Sequence, residues 1–237
     1  MARRDIAGIF KSAVLGAALV GGLALPAQAD ELELSASTAL TTDYVFRGLS
    51  QTGQEPAIQG SLDAAYGIFY LGAWGSNISF AESLELDFYG GIASEWNGIG
   101  YDIGAIWYTY PGENGLDYVE IKTGVSYGFT DNFTAGVTNY WSPDLEADAL
   151  EVGAEYTFGT LMNFFDPSVS GLIGWQWFDE GDDYTYWNVG LTLGFMENWA
   201  VDVRYWDTDF SNDGCADFGL GRDDCSARVV GTLSASF

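Results

Sequence analysis

The stretch RVVGTLSASF, residues 228–237, decides the fold. Every second residue is apolar or small: Val229, Gly231, Leu233, Ala235 and Phe237. Between them stand Arg228, Val230, Thr232, Ser234 and Ser236, which are mostly polar. A period of two describes a strand with two unlike faces. Chain ends ordinarily fray, yet this stretch carries an aromatic on its apolar parity at residue 237. An aromatic placed there implies a fixed site for it.

The same alternation fills the chain back to residue 30. It marks segments Leu32–Thr38, Ile58–Ala64, Phe69–Gly75, Leu84–Ile92, Tyr101–Trp107 and Val119–Tyr127. It continues through Phe133–Val137, Leu150–Phe158, Val169–Trp177, Trp187–Phe195 and Trp199–Tyr205, and the closing stretch is the twelfth. A strand crosses a bilayer at a tilt in about 9–11 residues. An even count lets a closed antiparallel barrel keep both ends on one side. The connections also sort into two kinds. Tyr66-Gly67, Asn97-Gly98, Thr130–Asn132 and Glu197-Asn198 are short, with Gly159–Asp166 the longest of that set. Arg47–Pro56, Asn77–Ser83, Pro111–Asp117, Ser142–Asp148, Asp179–Asp183 and Asp207–Asp224 are mostly longer and acidic. Short turns on one side and long loops on the other belong to outer-membrane barrels.

Charges keep to one parity. A Lys or Arg on the lipid face near the midplane costs about 2–4 kcal/mol, so the charged parity is expected to face the lumen. The candidate lumen-lining residues are Asp63, Glu85, Asp87, Asp102, Glu120, Lys122, Glu151, Glu155, Asp202, Arg204 and Arg228, with Arg47 at the outer rim. A soluble barrel would reverse the two faces. Three features favour the membrane: the sorted loops, the terminal Phe237, and aromatics near strand ends. Those aromatics are Trp107, Tyr108, Trp141, Trp177, Trp187, Trp199 and Trp206, read here as interfacial girdles. The expected fold is all-β: a transmembrane antiparallel up-and-down β-barrel of about twelve strands. A terminal aromatic on such a strand resembles the signal read by the barrel-assembly machinery of Gram-negative outer membranes.

Residues 1–29 read as a cleaved signal peptide and 30–237 as the barrel domain. Arg3, Arg4 and Lys11 are followed by an apolar run from Ala13 to Leu25 and by Ala27-Gln28-Ala29, a small-residue cleavage site. The run is too short for a transmembrane anchor and no stop-transfer charges follow. The whole chain has 8 Lys+Arg, 34 Asp+Glu and no His. Without the leader, three bases and Asp5 fall away, leaving 5 bases against 33 acids and a formal charge of −28. That disfavours nucleic acid and phosphate-rich ligands. With 9 Trp, 14 Tyr and 15 Phe, the chain is too aromatic for an acidic disordered segment. In an exported chain the close pair Cys215 and Cys225 reads as a disulfide.

Several catalytic patterns fail. Gly124-Val125-Ser126-Tyr127-Gly128 matches a nucleophile elbow but lies mid-strand, and the chain has no histidine base. Asp209-x-Ser211-x-Asp213-Gly214 opens like a calcium loop, but Leu220 stands where that loop needs Glu. A solvated acidic loop is the simpler reading. Glu85 and Asp87 are close because a strand brings alternate residues together, not because a sugar cleft demands it. No enzyme, cofactor or metal site is therefore expected.

Residues 38–66, TALTTDYVFRGLSQTGQEPAIQGSLDAAY, resemble the opening of the proteobacterial TorF-like porin family, also described as Gcw_chp, conserved proteins of unknown function. TDYVFRGLSQT, residues 42–52, is the most specific part, and the stretch from Cys225 to Phe237 resembles the family's ending. The resemblance implies an outer-membrane location and a porin-like role, without a solute. Arg47 within it reads either as a filter residue or, preferably, as an ion pair anchoring the first loop.

The function expected is passive diffusion of small solutes, favouring cations or neutral polar molecules. The partners expected are outer-membrane lipid and lipopolysaccharide, with a monomeric barrel. The main rival is a plugged, structural or adhesive barrel, because Tyr89, Tyr140, Phe178 and Trp206 point inward and twelve strands leave a modest interior. A barrel enzyme and a soluble periplasmic binder are the further rivals.

Overall fold

The computed structural model describes residues 29–80, 83–113, 115–162 and 164–237. The expected leader, residues 1–29, lies outside them except for Ala29. In chain order the strands are β1 (Ala29–Thr41), β2 (Val45–Phe46), β3 (Leu49–Ser50), β4 (Ala57–Gly67), β5 (Phe69–Asn77), β6 (Leu84–Trp96) and β7 (Ile99–Thr109). They continue with β8 (Tyr118–Thr130), β9 (Phe133–Ser142), β10 (Ala147–Thr157), β11 (Phe165–Phe178), β12 (Tyr184–Phe195), β13 (Trp199–Thr208) and β14 (Arg228–Ser236). One short helix, α1 (Asn212–Asp217), precedes β14. Twelve strands, β1 and β4 to β14, close into one antiparallel barrel, and β2–β3 form a separate hairpin.

Each barrel strand pairs with its neighbours in sequence, and the seam joins β1 to β14 from Ser37↔Ser236 to Thr41↔Thr232. Phe237 extends that seam. Its N–H donates to the Ala36 carbonyl at 2.9 Å, and its carbonyl accepts from the Ala36 N–H at 3.0 Å. Residue 237 is therefore paired rather than frayed.

The short connections, 68, 97–98, 131–132, 158–164 and 196–198, gather at one end. The others, 42–56, 78–83, 110–117, 143–146, 179–183 and 209–227, gather at the opposite end. Asn97 and Gly98 both have positive φ, 52° and 81°, the backbone a two-residue hairpin requires.

The faces are inverted relative to a soluble protein. Ile58 (67 %), Leu62 (69 %), Leu71 (65 %) and Val229 (64 %) stand exposed on the outer wall, while Glu85, Asp87, Asp102, Glu120 and Arg204 are buried inside. A continuous apolar belt of this size is unfavourable in water and suits hydrocarbon. Trp107, Trp141, Trp177 and Trp187 ring it at the loop end; Trp96, Phe129, Phe133, Tyr156 and Trp199 ring it at the turn end. Two aromatics depart from the girdle reading. Tyr108 and Trp206 lie on the inward parity and are 5 % and 3 % exposed, filling the lumen. Proximity to a strand end did not distinguish them; parity did.

The inner wall is paved. Tyr89 and Tyr186 lie over Gly72 and Gly174 of adjacent strands, Tyr70 reaches across Gly91 of the next strand to Gly104 of the one beyond, and the Arg204 guanidinium lies over Gly190. A Cβ at those glycines would collide with the group above it.

Candidate functional site

The stretch TDYVFRGLSQT builds the most distinctive feature of the lumen. Instead of continuing β1, residues 42–56 turn inward, and β2–β3 form a hairpin inside the loop end of the barrel. Arg47 and Gly48 make its turn with φ of 48° and 84°. The tip is tight against the far wall: a Cβ on Gly48 would meet Tyr186 Cβ at 2.9 Å and Thr208 Cβ at 3.1 Å. Val45 and Leu49 are almost fully buried against Leu172, Tyr184, Tyr186, Trp206 and Val230.

Arg47 ties the tip down. Its two terminal nitrogens donate to both Glu120 oxygens at 2.7 and 2.8 Å, and Nη1 also donates to Gln176 Oε1 at 3.1 Å. The guanidinium lies 4.7 Å from the Phe46 ring centre and 4.8 Å from that of Tyr140. Tyr108 donates to Glu120 at 3.0 Å. A bidentate, stacked arginine is the geometry lysine cannot reproduce. The position read from extending the β1 parity is thus refined: Arg47 does reach the lumen, but at a hairpin tip and within an ion pair.

Asp43 ties the hairpin base. It accepts from Ser50 Oγ at 2.6 Å, Thr52 Oγ1 at 2.8 Å and Arg228 Nη1 at 2.7 Å. The Tyr44 N–H donates to Thr52 Oγ1 at 3.1 Å, and the Gln51 N–H to the Tyr44 carbonyl at 2.7 Å. Burial, then the facing carboxylates of Glu85 and Asp87, hold the Tyr44 phenol well above the ordinary tyrosine range, so it remains a donor.

The last loop covers the hairpin. The Ser50 N–H donates to the Asp224 carbonyl at 2.9 Å. Cys215 and Cys225 are bonded and pack into the same apolar cluster as Val45 and Leu49. The ten-residue separation makes the bond worth about 3 kcal/mol of loop closure. Reduction is expected to speed protease cleavage within 209–227 while the barrel keeps its heat-modifiable gel mobility.

The other lumen candidates all fall on the inner parity. Lys122 pairs with Asp102 at 2.7 Å, which also accepts from Tyr70 at 2.7 Å. Arg204 pairs with Asp202 at 3.0 Å and donates to Asn188 at 2.6 Å. Asp63 accepts from Tyr89 and Ser61, and Glu151 from Tyr186 at 2.8 Å. Glu155 is half-buried in the inner wall of β10. With Arg222 joined to Asp213 at the surface, each of the five bases beyond residue 29 sits in an ion pair.

The tempting motifs are absorbed by the fold. Gly124–Gly128 runs inside β8. Ser211 caps α1 by accepting from the Gly214 N–H, and Asp209 accepts from the Thr185 N–H. Among the described residues no group of three or more acids or cysteines has the arrangement of a metal site. Sequence reasoning missed Asp43, Gln59, Asn188 and Gln176 as lumen residues. Their signal was parity alone, because attention went to charges within strands.

A family model described as a bacterial protein of unknown function, Gcw_chp, matches residues 26–237. A search of curated protein sequences finds no match. Among solved structures, the chain is similar to the KdgM porin with a TM-score of 0.60 and 8% identity, over 86% of this chain and 98% of that one. It is also similar to the NanC porin with a TM-score of 0.53 and 9% identity, over 86% and 99%. At such identities the likeness is one of fold.

Proposed function

Because the chain belongs to the Gcw_chp family of bacterial proteins of unknown function, we propose an activity from its lumen: passive diffusion of small solutes across the outer membrane, favouring cations and neutral polar molecules. One observation carries this reading. Every base beyond residue 29 is neutralised by an acid, while Glu85, Asp87, Glu151 and Glu155 face the interior without an ion-pair partner among the described residues. A narrow low-dielectric conduit with surplus carboxylates repels anions and concentrates cations. The apolar belt and aromatic rings support an outer-membrane location, and residues 1–29 would serve as the cleaved leader for export. Lipid and lipopolysaccharide would surround the barrel, the assembly machinery would insert it, and no catalytic role is assigned.

The test is a planar-bilayer recording of the refolded barrel under a salt gradient. The expected result is a steady conductance whose reversal potential has the sign of cation selectivity. An anion-selective potential would overturn the charge argument.

A second reading has its own observation. Val45, Leu49 and Arg47 of the hairpin are 1 %, 3 % and 7 % exposed, so the first loop fills the loop end of the lumen. This favours a barrel that is closed at rest. A folded barrel that inserts but passes no current would select it.

A further inference from the structure

Glu85 and Asp87 stand two residues apart on β6, both facing inward, 3 % and 6 % exposed. Burying carboxylates without a counter-charge is strongly unfavourable. No base answers them here, since Arg47, Lys122, Arg204, Arg222 and Arg228 are paired elsewhere. Tyr44 approaches Glu85 Oε1 only at 3.5 Å. Glu85 Oε2 and Asp87 Oδ1 have no hydrogen-bond partner.

A second observation does not depend on the acids. Gln59 is 2 % exposed, and neither its Oε1 nor its Nε2 has a partner. Its place is set by register: Gln59 lies opposite Ser76, and Ser76 opposite Glu85, all on the inner wall. The amide therefore points into the same compartment as the carboxylates. A buried amide left unsatisfied is a further penalty.

We propose that Glu85, Asp87 and Gln59 bind one divalent cation of the calcium class beneath the first loop. Two carboxylates balance two positive charges, and the Gln59 Oε1 adds a neutral oxygen. Water completes the six to eight oxygens that calcium takes. An all-oxygen set without His or Cys selects a hard ion over zinc or copper. The donors are two acids and an amide, so the site does not require a cluster of three acids. Tyr44 leans over Glu85 from the hairpin base, so the ion also braces the first loop. The site is independent of whether the barrel conducts, and with the ion bound the surplus lumen charge is that of Glu151 and Glu155.

The experiment is equilibrium dialysis of radioactive calcium against the refolded barrel, in enough sodium chloride to suppress surface binding. Wild type is compared with the Glu85→Gln/Asp87→Asn double variant and with Gln59→Leu, each checked for heat-modifiable mobility. The expected result is one more calcium per barrel in wild type than in the double variant, with binding weakened several-fold in Gln59→Leu. Equal stoichiometry in wild type and double variant overturns the proposal, as does no binding at millimolar calcium. Should the double variant not fold, wild type alone decides. Calcium must slow protease cleavage of the first loop relative to chelator, and equal rates reject the site.

Discussion

Replacing Arg47 with alanine is expected to raise the single-channel conductance several-fold. Removing the guanidinium leaves Glu120 buried without its partner, a loss of about 3–5 kcal/mol for a buried pair. The barrel ladder does not use Arg47, so the penalty falls on the seated hairpin. A shift of that size moves the seated-to-released ratio by about 10²–10⁴-fold. Arg47→Lys is expected to release the hairpin partly, because an ammonium keeps the charge but loses the fork and the stacking on Phe46 and Tyr140. Glu120→Gln should act in the same direction as Arg47→Ala. If Arg47→Ala folds and conducts as wild type does, the first loop is not the barrier.

The second large effect lies on the outer wall. Leu62 is the sixth of eleven residues in β4 and faces outward, 69 % exposed. Leu62→Arg is expected to lower the folding free energy from lipid vesicles by about 2–4 kcal/mol, the cost of a base near the bilayer midplane. Ser61→Arg, one residue away but facing inward beside Asp63, should cost much less. Denaturant midpoints in the two variants measure the difference. Equal losses would mean that the two parities do not face different media, and a larger loss in Ser61→Arg that the faces have been assigned the wrong way round.

These two sites differ in how far the sequence revealed them. Leu62 was legible, because its neighbours Ser61 and Asp63 are polar and a strand allows only two directions. The same logic placed all the charged strand candidates on the inner wall. Arg47 was legible in direction and in its preferred role as an ion pair, but its hairpin was not. β2 and β3 are two residues each, too short for any period to show. The partner Glu120 is 73 residues away and is brought near only by barrel closure. A usable signal was present in Tyr44-Val45-Phe46, an apolar run in a connection that should have been polar. Tyr108 shows the opposite lesson, since its alternation was readable and position near a strand end was given precedence over it, while Trp206 was read both as a girdle and as an inward residue.

The paving of the inner wall has a consequence for how such a conduit can change over generations. Tyr89 and Tyr186 lie flat because Gly72 and Gly174 leave room beneath them. A single added methyl at either glycine would tip the ring upright, toward the axis. Calibre is therefore written in the smallest residues of the wall rather than in the large ones that stand over them. One-carbon substitutions could narrow or reopen the passage while every strand keeps its register.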